Sequence, residues 1–452
     1  MDERIHLPLP LAGEGRGEGR PPETTSAPER GPLSLTLSLL RGARGPELLA
    51  MLITLMLATA CSRSINLLPP RADGSVAGDT SVTGDTSVTN PFCSGLGDPI
   101  QLPTVTGVVC AVVLATRGHR FALCSCESVS VFVCIRTDSF NSLNMPLFEE
   151  TGAAIGIGGN LTASAEVRAG GALYVAGAGG IDVSNQLRTE ASLRVGGPLT
   201  IRDDNADIGA DAYVNGNVTA TGSGRVRVTG AVHVPTSAVL TGVESTGRVN
   251  ETAVAVPPPC DCGAGFVDVA AAIMGAAAAN ADAAIGLQPT ALADVTTPTT
   301  IALPCGVFHL AEIDAEAPVT LIVRGRTLLA IAGDVTARAG FTVQLDPSAE
   351  LDLLVGGQLI VTSGGSFGTD GAAPRFRVWV ASATTVLFDG APAISGVIHA
   401  PAALVTAPGG LPLSGSLLAR SVSIGADSDL HFDRAIRQAG TICNEPAAAP
   451  VP

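Results

Sequence analysis

From residue 155 onward, apolar residues return every six positions, and this period constrains the fold more than any other feature of the chain. Leu161, Val167 and Leu173 form one run. Ile181, Leu187, Leu193 and Leu199 form a second, Ile208 and Val214 a third, and Val226, Val232 and Ala238 a fourth. Many have an apolar partner two residues on, as in Leu173/Val175, Ile181/Val183, Leu193/Val195, Leu199/Ile201 and Val232/Val234. Residues two apart on a strand point the same way, so each pair marks a short strand with one buried side. Gly, Asn or Asp falls between them, as in "VGG", "VNGN" and "RDDN", and these are turn residues. One such strand cannot bury its apolar side alone. Stacked in turns of three it can, so the period predicts a parallel β-helix. A turn of three six-residue sides takes roughly 18 residues, which gives about five turns over 155–250. Slips in the spacing near 175–181 and 201–208 predict insertions at corners.

Composition agrees. Gly numbers 53 and aromatic residues are only 3%, which suits a stacked repeat better than a sandwich core. Every basic residue is Arg, and the formal charge of -15 excludes a nucleic-acid partner, because no basic stripe exists to release counterions.

The chain divides as follows. Residues 1–60 form a signal or wrongly assigned upstream region, and 61–92 a polar linker in which GDTSVT occurs twice. Residues 93–150 form a small Cys-rich β subdomain, and 151–256 the first part of the solenoid. Residues 257–310 form a helical and Cys-bearing insertion, 311–440 the second part of the solenoid, and 441–452 a tail. The insertion opens with "PPPCDCG". It continues with an Ala-rich helix from Phe266 to about Ala284, with Val269, Ile273 and Ala277 on one face. Such a helix is expected on the solenoid flank or over an end, where it would cover an unpaired sheet edge. The predicted class is therefore all-β: a parallel β-helix with one inserted helix and a small disulfide-stapled β region near the N-terminus.

The stretch "LLAMLITLMLATACSRS", Leu48–Ser64, holds an uncharged run of about thirteen residues. A bilayer-spanning helix needs roughly 20, so the run fits the core of a secretory signal instead. It closes on Ala58-Thr59-Ala60-Cys61, which resembles a bacterial lipobox with Leu57 one place early. The resemblance implies lipidation at Cys61 and a membrane partner through that lipid. The expected location is the cell envelope, as an outer-membrane lipoprotein facing the periplasm or the surface.

Ten cysteines in an exported chain predict disulfides. Beyond Cys61, the candidates are Cys93, Cys110, Cys124, Cys126, Cys134, Cys260, Cys262, Cys305 and Cys443. Proximity in sequence suggests that Cys93–Cys134 staple the N-terminal region and that Cys260, Cys262 and Cys305 staple the insertion. Cys124-Ser-Cys126 and Cys260-Asp-Cys262 lack the two-residue spacers of structural zinc sites.

The segment Gly396-Val397-Ile398-His399-Ala400-Pro401, then Gly415–Val422, then His431-Phe432-Asp433, resembles the end of an uncharacterised bacterial β-solenoid domain. That domain occurs in myxobacterial lipoproteins and on PilX-like pilus-assembly proteins, and the resemblance covers 155–440. It implies a fold and a location without an activity. The six-residue period is also similar to that of bactofilins, which are polymer-forming β-helices.

Chemistry-bearing clusters are few. "DSDLHFD" would place Asp427, Asp429, His431 and Asp433 on one strand face, the weak candidate for a cation site. Asp203–Asp207 lacks the Gly and Glu of a calcium loop and reads as a polar corner. Glu350 and Asp352 could share a face, with Asp346 across the Pro347 turn, as a glycoside-cleaving pair would need. The histidines of the segment expected to remain after processing form no cluster in sequence. The reading is a non-enzymatic envelope lipoprotein without cofactor, structural or adhesive, with a surface polysaccharide or a protein as partner. A self-assembling scaffold and a carbohydrate-active enzyme are the alternatives.

Overall fold

The computed structural model describes residues 95–438, except 144, 150, 151, 264, 265 and 382. Cys61, Cys93, Cys443, the linker at 61–92 and the tail at 441–452 lie outside the described residues.

The fold follows from the alternation within each strand. In Leu193-Arg194-Val195 the outer two residues are buried and the middle one half-buried, and the same pattern recurs in almost every strand of 161–220. Two inward side chains per strand cannot be covered by that strand's own turn. They are covered by the turns above and below, through parallel pairing: Leu173 opposes Ile155 on one side and Leu193 on the other. The result is an all-β parallel solenoid of about 14 turns with few helices. It has three walls. The first runs through Ile155–Ile157, Leu173–Val175, Leu193–Val195 and Ala212–Val214. The second runs through Leu161–Ala163, Ile181–Val183 and Leu199–Ile201, and the third through Val167–Ala169, Leu187–Thr189 and Ala206–Ile208. Hydrogen bonds between successive turns span 19 or 20 residues here, slightly more than the roughly 18 of three six-residue sides. The extra residues sit at corners.

The turns are not stacked in sequence order. Residues 155–251 climb one way and form the upper half. The chain then runs back and forms the lower half over 299–433. Its last turns meet the start of the described chain. Leu123–Ser125 lies between Leu417–Ala419 and Ile155–Ile157. Val129–Val131 lies between Val422–Ile424 and Leu161–Ala163. Ile135–Asn141 lies between Ser428–Asp433 and Val167–Ala169. The Cys-rich β region near the N-terminus thus supplies the seam turn that joins the two halves into one continuous core.

The segment expected as an insertion is a strap down the first wall. Val254 N–H donates to Asn215 Oδ1 at 3.3 Å, and Pro259 sits over Gly156. Two disulfides then fix the strap to the seam turn, Cys124–Cys260 and Cys126–Cys262, each spanning 136 residues. The expected grouping is corrected here: the two clusters pair with each other, because the strap brings them onto one wall. Cys110, Cys134 and Cys305 are also disulfide-bonded.

The helix is shorter than expected and splits in two. Val269–Ala278 is capped by Asp268, whose carboxylate accepts from Ala271 N–H at 2.9 Å. Ala279 turns extended, the Asn280 amide bonds Ala276 O at 3.0 Å, and a single helical turn follows at Asp282–Ile285. Ala277 is exposed, and Val269, Ala272, Ile273 and Ala276 are the buried face. This face and the helix Ala111–Gly118 cover Leu328, Ala330, Leu354 and Trp379 on the outside of the lower first wall. The solenoid resumes at Thr299, not at 311.

Both ends are closed. At the lower end Leu287, Leu292 and Val295 join the core as a lid, with Ala281 and Val295 N–H donating to Val307 and Asp314 carbonyls. At the upper end the last strand, Val243–Glu251, puts Arg248 opposite inward-facing Val232 and Asn250 opposite Val234. The Arg248 guanidinium bonds the Ala238 carbonyl at 2.9 Å and Asn250 Oδ1 at 2.7 Å, across the mouth of the core. An inward charge on an edge strand blocks further stacking.

Candidate functional site

The outward residues of each wall form rows at the strand spacing of about 4.8 Å, and the three walls differ. The second wall carries Ser423, Ser130, Thr162, Asp182, Thr200 and Thr219 in register. The upper third wall carries Arg136, Arg168, Arg188, Asp207 and Arg227. Glu166, Glu190 and Glu244 pair with these arginines at 2.7–3.6 Å. The Arg227–Glu244 pair is exposed and adds little stability, because water screens it, and the other pairs are half-buried.

The upper first wall is the distinctive surface. Its outward row is Tyr174, Arg194, Tyr213 and His233. The chain has two tyrosines, and both stand in this row, half-buried beside the strap that runs down this wall. The Arg194 guanidinium lies 4.1 Å from the Tyr213 ring centre, and His233 stacks on the other side at 4.3 Å. His233 Nδ1 meets Glu251 at 2.8 Å, and Phe121 closes on Tyr174 edge-to-face at 5.7 Å. Tyr and Arg carry most of the binding energy at protein surfaces, since both offer large contact area together with polar atoms. The outward position of each residue follows from the six-residue period. The row itself does not, because it needs the register between turns.

On the lower first wall the same outward positions are sealed under the flank. Glu350 and Asp352 do share a face, as expected, but Arg377 neutralises both. Its guanidinium bonds Asp352 at 2.8 and 2.7 Å and Glu350 at 2.9 Å, and Trp379 Nε1 adds a bond to Asp352 at 2.8 Å. Burial pushes the Glu350 carboxyl up, yet Arg377 and Arg326 outweigh it and hold it below the usual range. A general acid would need the reverse. Asp346 is exposed on its turn and takes no part.

Two buried imidazoles continue this layer. His399 sits among Trp379, Phe266 and His119, with ring centres 5.1, 5.2 and 5.6 Å away. His119 Nδ1 is 2.9 Å from Ser416 Oγ, which donates to the Phe121 carbonyl at 2.6 Å. The hydroxyl proton is thereby committed, so His119 Nδ1 is the donor and cannot activate Ser416 as a nucleophile. Burial and then the neighbouring His399 push His119 well below 6.5, and burial takes His399 to about 3. Both rings are neutral at pH 7.

The "DSDLHFD" cluster is divided. Asp427 Oδ1 accepts from Cys134 N–H at 3.1 Å, and His431 Nδ1 meets Asp138 at 2.6 Å. Asp433 turns into a buried cap, accepting from Ser142 Oγ at 2.6 Å and Ala435 N–H at 3.0 Å. Burial pushes its carboxyl up against these bonds. Asp427 and Asp429 are exposed, His431 is half-buried and Asp433 is buried. The expected single face of four ligands is corrected: the corner takes Asp427 and the following helical turn takes Asp433. Among the described residues no three His, Cys, Asp or Glu side chains could hold a metal ion together. The register also aligns Ser414, His431 and Asp138 on neighbouring strands, but no hydrogen bond joins Ser414 to the ring. The nucleophile–base contact of a hydrolytic triad is therefore missing.

No curated protein and no solved structure gives a significant match to the chain. A family model described as "Domain of unknown function (DUF7305)" matches residues 266–439. That stretch begins beside the flank helix and ends just past the helical turn Arg434–Arg437, so the match covers the lower half-solenoid with its flank helix.

Proposed function

We propose that the protein is a cell-envelope lipoprotein, tethered through Cys61, whose solenoid is a rigid display body with a structural or adhesive role. The observation that carries this reading is the row of Tyr174, Arg194, Tyr213 and His233, each half-buried on the outside of the upper first wall beside the strap. A long flat row fits an extended surface polysaccharide or a protein segment laid across the strands. The tied carboxylates Glu350 and Asp352 weigh against a glycoside-cleaving enzyme. Arg248 and the lid at Leu287–Val295 weigh against a scaffold built by end-to-end stacking.

The test is intact mass and fractionation of the protein expressed in a bacterium that lipidates exported chains. The reading expects an acylated chain beginning at Cys61 in the membrane fraction. An unlipidated cytosolic chain that retains Met1 would overturn it. Tyr174→Ala/Tyr213→Ala should then weaken adhesion of cells displaying the protein roughly thirtyfold, since losing each aromatic anchor costs on the order of 1 kcal/mol. Equal adhesion would remove the row from the reading.

A further inference from the structure

The two disulfides join the same two segments in the same direction. Cys124 and Cys126 flank Ser125 on the seam turn, and Cys260 and Cys262 flank Asp261 on the strap. Everything between Cys126 and Cys260 is thereby a covalently closed excursion, and that excursion contains the whole upper half. The inner bridge is buried, with Cys124 2% and Cys260 9% exposed. The outer bridge is reachable, because Cys262 is exposed and Cys126 half-buried.

The upper half has lean non-covalent support. Most of its strands are three residues long, its core is aliphatic, and the strap, not a helix, is what lies on its first wall. Closing a loop of more than a hundred residues favours the folded state roughly a thousandfold by restricting the unfolded chain. That factor is comparable with the whole folding equilibrium of a marginal domain.

We propose that the paired disulfides are a redox gate on the upper half. With both bridges closed the half is folded. With both reduced it opens locally, while the lower half keeps its structure. The chemistry is thiol–disulfide exchange with a dithiol reductant. One thiolate attacks the Cys262 sulfur and releases the Cys126 thiolate. The second thiol then resolves the mixed bond, so the dithiol becomes a disulfide and the protein gains two electrons and two protons. The Cys126 thiolate breaks the neighbouring Cys124–Cys260 bridge. Attack on the Cys260 sulfur forms Cys126–Cys260 and releases the Cys124 thiolate, and attack on the Cys124 sulfur forms Cys124–Cys126 and releases the Cys260 thiolate. A second dithiol reduces the new bond in the same way, becoming a disulfide itself. The inner bridge is thus reached without the reagent entering the core. In the export setting proposed above, the half would stay open in the reducing cytosol and close in the envelope. The gate itself does not depend on that setting.

Hydrogen exchange on the full chain tests it. The probes are the oxidised protein, the protein treated with a dithiol, and the variant Cys124→Ser/Cys126→Ser/Cys260→Ser/Cys262→Ser. The variant isolates the gate from the bonds of Cys110, Cys134 and Cys305. Exchange within 155–251 should rise roughly a thousandfold in the reduced protein and in the variant, with 299–380 still protected. The outer-bridge variant Cys126→Ser/Cys262→Ser should give a smaller rise. Equal protection of the upper half in the oxidised protein and the variant would overturn the proposal. So would simultaneous loss of protection in both halves, including failure of the variant to fold. A cytosolic location would sink the envelope reading and leave this measurement unaffected.

Discussion

The two halves of this solenoid solve the same packing problem with different means. The upper half stacks three-residue strands over a core of Leu, Val, Ile and Ala, with successive turns about 20 residues apart. The lower half uses five- and six-residue strands on two walls, with successive turns about 24 residues apart. Its wider lumen is filled by Phe308, Phe341, Phe367, Phe376 and Phe388, with Phe367 at 5.3–6.3 Å from three other rings. Its first wall is further covered by helices and a buried ion network. A longer strand widens the turn, and a wider turn needs larger side chains to reach packing density. The lower half therefore holds itself by its own contacts, and the upper half leans on a covalent clamp.

The largest effect that would sharpen this contrast is Arg377→Met. It strands Asp352 and Glu350 in a sealed layer and should cost about 4 kcal/mol, because unpaired buried charge is the expensive case. Denaturant unfolding reads it. Arg377→Met/Asp352→Leu should recover part of the loss, and no recovery would mean that the network is not the cause. Next, Leu193→Ala in the upper core should cost about 3 kcal/mol through lost transfer and a residual cavity. Its cost should appear in exchange of 155–251 alone. If 299–380 responds equally, the halves are one cooperative unit.

The histidine layer gives a pH test confined to the lower half. His119 and His399 have folded values below 6.5, His399 at about 3, so the opened state binds protons more readily. Stability should fall as pH drops from about 6.5 towards 3, and it should be flat above that range. His399→Phe should flatten the slope, and an unchanged slope would assign the effect to other groups. Gly180→Ala probes an upper corner. Gly180 has a φ of +69°, and an added Cβ would run into the Pro198 carbonyl. A loss of about 2 kcal/mol is expected, measured as a lower midpoint. Smallest in stability is Arg248→Ala, at about 1 kcal/mol or less. Its informative readout is light scattering. A rise in mass would show that the guanidinium blocks end-to-end association.

The six-residue period was legible because one strand's burial depends only on its own alternation. Leu161, Val167, Leu187 and Leu199 each point into the core, as their spacing requires. The seam was not legible, since Val129–Val131 reads as an ordinary short strand whether it ends a subdomain or fills a gap between Val422–Ile424 and Leu161–Ala163. The aromatic row and the divided "DSDLHFD" cluster escaped for a related reason. Sequence alternation gives the side of a strand, and only register gives the neighbour.

By itself, then, the amino-acid sequence determined the repeating unit, the inward positions and the corners, all of which are set by interactions within a few residues. The tertiary structure alone decided the order of the turns, the pairing of Cys124 with Cys260 and of Cys126 with Cys262, and the burial of Asp352 beside Arg377. These depend on where the strap from 252 to 298 lies. Every turn offers nearly the same edge, so local pattern cannot select a partner, and the strap with its clamp does.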